Sequence, residues 1–190
     1  DCILCTKNVG LEILINYAQT QTAMAEQLFG KQRAEDLSTQ VYMQSCVGEA
    51  LLLAQIGGVH AMHDATEEGI VTALNELADA SNLGFRVEHE KMPITTEMDV
   101  LQKHFSLSDL QVLSASSTGT ILAAIDPKDK DEIRQKLQEE GVPASFLGHF
   151  TKDQERLLTR NGRDLPFPKV ADDPYAMILS AKFRKTKITS

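Results

Sequence analysis

One stretch near the middle of the chain, Val59-His60-Ala61-Met62-His63-Asp64-Ala65-Thr66-Glu67-Glu68-Gly69, concentrates the groups able to do chemistry. It reads as a short strand that delivers a carboxylate, Asp64, and a hydroxyl, Thr66, to the start of a helix. Helix N-termini present unpaired N–H groups and a partial positive charge, so they favour anions, and an Asp beside a bound phosphate recruits Mg²⁺. Asp64 and Thr66 are therefore the candidate phosphate or metal ligands. A plainer reading is preferred on spacing alone: Asp64 or Thr66 caps the helix, contributing about 0.5–2 kcal/mol, while Glu67 and Glu68 favour its dipole.

Other chemically capable pairs are weaker. Cys2 and Cys5 are three apart on a strand, so they face opposite sides, and no second pair exists to complete a zinc site. His60 and His63 are separated by the same geometry and lack a Glu-containing helical zinc motif, so they read as structural histidines near a ligand site. The run Lys128-Asp129-Lys130-Asp131-Glu132 is a solvated helix face.

The elements that must position these groups follow from periodicity and breakers. Cys2–Thr6 reads as a buried strand, and Leu11 to Phe29 as a helix stopped by Gly30. A helix from Ala34 to Met43 is expected to carry Leu37, Val41 and Tyr42 on one face, and another runs from Val47 to Gly57-Gly58. Val59–Met62 is a short strand. Ile70, Ala73, Leu74, Leu77 and Ala78 then recur at i, i+3, i+4, i+7 and i+8, an amphipathic helix. Gly84–Glu88 and Gly119–Ile125 are strand-like, with a loop and short helix from Pro93 to His104 between them. Asp126-Pro127 and Gly141 mark the two ends of a helix. Two late strands, Ser145 to Thr151 and Glu155 to Thr159, precede the hairpin signal Asn161-Gly162. The pattern predicts an α/β (α+β) fold, a mixed β-sheet flanked by helices, in one domain over residues 1–180, with a basic tail at 181–190.

Composition limits the function. The chain has 190 residues and 21.0 kDa, room for one domain with a real core. A formal charge of −8 and pI near 5.1 argue against nucleic acid, whose backbone needs clustered basic residues. The longest apolar run, Ala50 to Ala54, is far short of the roughly 18 residues that span a bilayer, so no membrane partner is expected. The chain opens on Asp1 without a signal-like segment, which predicts a cytoplasmic protein and a piece of a longer one.

The segment from Gly58 to Glu76, with its His63-Asp64-Ala65-Thr66 and Thr72-Ala73-Leu74-Asn75-Glu76, resembles the Asp-Pro-Thr-x-Gly-Gly region of the aminoimidazole ribonucleotide (AIR) synthase superfamily, and within it the hydrogenase expression/formation (HypE) branch. Asp1 to Glu12 is similar to the strand opening that family's C-terminal half, and Ser117 to Ile125 to its later Gly-Thr-rich strand. The resemblance covers roughly residues 1 to 165. It implies an AIR synthase C-terminal domain fold and, since family members are two-domain enzymes, a missing N-terminal domain that dimerises and supplies most Mg-ATP ligands. The implied partners are that N-terminal domain and, in a homodimer, a second copy. The implied chemistry is ATP-dependent activation of an amide-like or thioamide-like oxygen. Asp64 would hold Mg²⁺ or phosphate, Thr66 would bond a phosphate oxygen, and Gly69 would let the backbone approach the phosphates.

The sequence departs from the pattern at Ala65, where Pro is usual, at Glu67, often basic, and at Glu68, which replaces the first Gly. Two acids thus stand where phosphate would bind, an arrangement that costs binding unless a metal intervenes. The family's hydrogenase-maturation members end in a Cys that carries a carbamoyl group, whereas this sequence ends Lys185-Thr186-Lys187-Ile188-Thr189-Ser190 and does not support cyanide-ligand synthesis. The alternative is a non-catalytic binding or scaffold module that kept the fold with a degenerate nucleotide site.

Overall fold

β4 (Ile121–Ile125) is apolar at all of its positions because it lies inside a sheet covered on both faces. The computed structural model describes residues 1–180, and the basic tail expected at 181–190 lies outside the described residues. The other strands are β1 (Cys2–Thr6), β2 (Val59–Asp64), β3 (Gly84–Glu88), β5 (Ala144–Thr151), β6 (Arg156–Arg160) and β7 (Arg163–Pro166). They form one seven-stranded sheet among the described residues, ordered β2-β4-β1-β5-β3-β6-β7. All neighbours are antiparallel except β3 and β6, so the sheet is mixed.

Alternation along the strands divides the core in two. Ile3, Cys5, Phe85, Val87, Leu122 and Leu147 face α1 (Leu11–Thr20), α5 (Gly69–Ser81) and α6 (Thr96–Phe105), where Leu14, Tyr17, Leu74 and Met98 are buried. Leu4, Ile121, Ala123 and Ile125 face the other way, onto Leu53 of α4 (Val47–Ile56) and Ile133 and Leu137 of α8 (Lys130–Glu139). Cys2 and Cys5 accordingly serve different sides. Burial pushes the Cys5 thiol up to about 12, which makes it an inert core residue.

The expected apolar stripe of α5 is buried throughout, from Ile70 to Ala78. Asn161 and Gly162 both adopt positive φ, 49° and 71°, as a two-residue hairpin loop requires, and join β6 to β7. Three expectations differ. The helix expected from Leu11 to Phe29 is two, α1 and α2 (Thr22–Phe29), interrupted at Gln21, which leaves the helical region at φ −117° and ψ 41°. Val41 and Tyr42 do not share a buried face with Leu37. α3 (Lys31–Thr39) ends before them, and the chain tightens into a 3₁₀ turn over Gln40–Gln44, whose three-residue period rotates both side chains out. Two short helices were not expected from the sequence: α7 (Asp109–Leu113) and α9 (Tyr175–Ser180).

Candidate functional site

The strand that delivers Asp64 is the edge of the sheet, paired with β4 through His63 opposite Leu122 and Asp64 opposite Ile121. The Asp64 side chain is 51% exposed. After it the backbone turns down onto the Ser116–Thr120 loop. Ala65 N–H donates to the Thr120 carbonyl (2.8 Å), and Ser117 N–H is shared between the carbonyls of Ala65 and Thr66 (3.1 Å each). Gly69 opens α5 at φ +54°, and a Cβ there would lie 2.5 Å from the Ala115 carbonyl. Its lack of a side chain admits the Leu113–Ala115 backbone.

Neither Asp64 nor Thr66 caps α5, which corrects the plainer sequence reading. Asp64 still belongs to the strand, and the residue preceding the helix is Glu68, left-handed at φ 60°, with no side-chain cap. The Thr66 backbone carbonyl, not its hydroxyl, accepts from Gly69 N–H (3.3 Å). The Glu68 carboxylate turns along the helix and accepts from the Thr72 hydroxyl (2.6 Å). The histidines tie elements together: His63 reaches Glu76 of α5 (2.8 Å) and the Asp64 carbonyl (2.7 Å), while His60 reaches Asp1 (2.9 Å).

Four further residues surround this loop. Lys7 is buried and gives its ammonium protons to the carbonyls of Met43 (2.8 Å), Ser45 (2.7 Å) and Gly119 (3.0 Å). Glu49, also 6% exposed, lies 2.5 Å from that ammonium yet its Oε1 takes no hydrogen bond, since the lysine's donors are already directed elsewhere. Cys46 is nearby: burial raises its thiol pKa, the charges of Asp64 and Glu49 raise it further, and Lys7 opposes them. Lys7, Glu49 and Cys46 therefore share an electrostatic neighbourhood with Asp64. Gly119, at φ +100°, leaves room for the Met43 carbonyl, so the Met43–Ser45 segment can close over Lys7.

The fourth residue is Asp173, whose carboxylate accepts from Glu68 N–H (3.1 Å), Ser116 N–H (3.3 Å), the Ser116 hydroxyl (2.5 Å) and Tyr175 N–H (3.0 Å). The sequence signal for it was Asp173-Pro174-Tyr175, an acid and a proline before a short helical run. Among the described residues no three His, Cys, Asp or Glu side chains converge as a metal cage. Asp64 fits instead a Mg²⁺ held by one carboxylate together with substrate phosphates.

Residues 1–159 match the family profile described as AIR synthase related protein, C-terminal domain. The chain belongs to this family. This AIR synthase-related domain is 31% identical over 101 residues to the carbamoyl dehydratase HypE of Rhizobium leguminosarum bv. viciae, an alignment spanning 51% of this chain and 28% of that protein. Its fold matches the crystal structure of E. coli HypE, a hydrogenase maturation protein, with a TM-score of 0.68 at 18% identity, covering 93% of this chain and 51% of that one. It also matches the structure of hydrogenase maturation protein HypE in complex with ATP, with a TM-score of 0.66 at 16% identity over 92% of this chain and 52% of that one. The domain thus spans about half the length of the HypE chains it matches. Among the described residues, no helix is long and apolar enough to cross a membrane.

Proposed function

We propose that this domain forms one wall of a Mg-ATP site and contributes phosphate and metal contacts to the ATP-dependent activation of an amide-like or thioamide-like oxygen. The observation that carries this reading is the Asp64 carboxylate: it is exposed at the end of β2, beside the first turn of α5, and plays no capping role in the fold. The HypE structure with ATP shares this fold, which supports a nucleotide as the ligand. Asp64 would hold Mg²⁺ against the phosphates and Thr66 would donate its hydroxyl to a phosphate oxygen. Gly69 would act by letting the loop pack on Ala115. Bound Mg²⁺ would supply charge neutralisation, which is most of what phosphoryl transfer needs. The remaining ligands would come from an N-terminal domain, with a second copy completing a homodimer.

The test is a calorimetric titration of Mg-ATP into the whole polypeptide that carries this domain, with and without Asp64→Ala. A loss of at least tenfold in affinity is expected; equal binding by the two proteins would remove Asp64 from the site and the proposal with it.

A non-catalytic binding module is the second reading, and one observation favours it. The Asp173 carboxylate already occupies N–H donors beside the loop, as an anionic ligand would. Measurable ATP hydrolysis by the whole polypeptide, abolished by Asp64→Ala, would exclude this alternative.

A further inference from the structure

The chain beyond β7 does not leave the molecule. It runs over the helical layer as a strap: Phe167 is buried in the larger core, Asn75 Nδ2 of α5 donates to the Pro168 carbonyl (2.9 Å), and Asp172 N–H donates to Ser114 Oγ (3.1 Å). α9 then fastens the far end on α1, where Asn16 donates to the Tyr175 hydroxyl (3.0 Å) and Ile178 joins the core. Between these two anchorages lies Asp173. Its oxygens take N–H groups from both sides of the loop, Glu68 on the α5 side and Ser116 on the opposite side, together with the Ser116 hydroxyl.

Those donors are not inferred to suit an anion from the helix end alone. They hold one, a carboxylate belonging to the chain itself. Ser117 N–H binds the carbonyls of Ala65 and Thr66, so the Asp173 seat adjoins the residues assigned to phosphate. Glu68 turns its own carboxylate away to Thr72 and leaves the seat to Asp173. A phosphate and Asp173 cannot share these donors, because two anions in contact repel and the N–H groups are already spent.

We propose that Asp173 is an autoinhibitory plug, an internal anion in a phosphate seat, and that the strap 167–175 must release it before a polyphosphate binds beside Thr66. This rests on the reading of the Asp64–Gly69 loop as the phosphate side of a nucleotide site. Release is confined to the strap: Phe167 and Ile178 stay as the buried anchors, while Asp173 gives up Glu68, Ser116 and Tyr175 N–H, and Ala171 and the buried Pro174 beside it lift from the core.

The experiment uses inorganic tripolyphosphate as probe, titrated calorimetrically into the whole polypeptide and into its Asp173→Asn and Asp173→Ala variants. Asn keeps an acceptor oxygen and the size of the side chain but gives up the charge, so it preserves the fold if Ala does not; circular dichroism melting identifies which variants remain folded. Tripolyphosphate is expected to bind at least tenfold more tightly to Asp173→Asn than to the parent. In the parent, saturating tripolyphosphate is expected to raise hydrogen exchange across residues 168–175. Unchanged or weaker binding in the folded variant overturns the proposal and makes Asp173 a structural latch. The outcome separates from that of the nucleotide reading. Tighter tripolyphosphate binding in Asp173→Asn, with Mg-ATP affinity indifferent to Asp64→Ala, keeps the plug and discards the nucleotide. A dependence on Asp64 with no effect of Asp173 does the reverse.

Discussion

Lys7 and Glu49 are the least replaceable polar pair beside the candidate site. The ammonium serves three backbone carbonyls and neutralises a carboxylate that, among the described residues, pairs with no other cation. Removing one member of a buried pair leaves the other charge uncompensated, at a cost of about 3–5 kcal/mol. Lys7→Ala is therefore expected to lower the melting temperature by roughly 6–20 °C for a domain of this size, read by circular dichroism. The double change Lys7→Met with Glu49→Leu is expected to recover part of that loss, because no charge then remains buried; a double variant less stable than Lys7→Ala would contradict this account. The sequence showed Asp64 and Thr66 because strand, acid, hydroxyl and helix follow one another locally. It could not show Glu49 beside Lys7, or Asp173 beside Glu68, because each pair is joined only by the sheet order and by a strap returning from the far end of the chain.

Gly69 shows how an element's boundary is fixed by its neighbours. Its φ of +54° is costly for any residue with a Cβ, and the Ala115 carbonyl occupies the space a methyl would take. Gly69→Ala should cost about 1–3 kcal/mol for the left-handed conformation and a further increment for displacing backbone. The expected result is a lower urea midpoint with faster amide exchange in the first turn of α5; an unchanged midpoint would show that the loop yields freely. The same boundary explains why helix capping was misjudged at sequence level. Asp64 and Thr66 are residue types that cap, but the chain spends them in a strand end and a turn before α5 begins. Elements with repeated apolar spacing, α5 and α8, were legible from that spacing and their end signals. α7 was not, being too short for periodicity, although Ser108 and Gln111 form a reciprocal capping box that stands in the sequence as Ser-x-x-Gln. Nothing local marks Gln21, whose side chain donates to the Leu179 carbonyl of α9, a contact made only in the folded chain.

Charge is unevenly spread over the whole molecule. From Gln40 to Val59 the sole charged residue is Glu49, which is buried. The surface of that stretch is uncharged and exposes large apolar side chains, with Tyr42 74%, Val47 61% and Leu51 58% exposed, in a chain whose net charge is −8. Depletion of charge around exposed aromatic and aliphatic side chains is the composition of an interface core. The occupant proposed for it is a second copy, since two chains of like net charge meet with least repulsion across an uncharged face. With a second copy on this face, the whole polypeptide is expected to sediment as a dimer at micromolar concentration and Leu51→Asp to shift it toward monomer, with a melting temperature within about 2 °C of the parent; a parent that sediments as a monomer would contradict this occupant. Sedimentation unchanged by the substitution would assign self-association elsewhere. The sheet order has a different consequence, in time rather than space. β1 precedes the other six strands of this sheet in sequence yet lies between β4 and β5, with Leu4 opposite both Ala123 and Phe146. Within this domain β1 must wait for two partners more than 100 residues further along the sequence, so its assembly is governed by long loop closures, and the apolar Cys2–Cys5 segment is exposed to other chains throughout that interval.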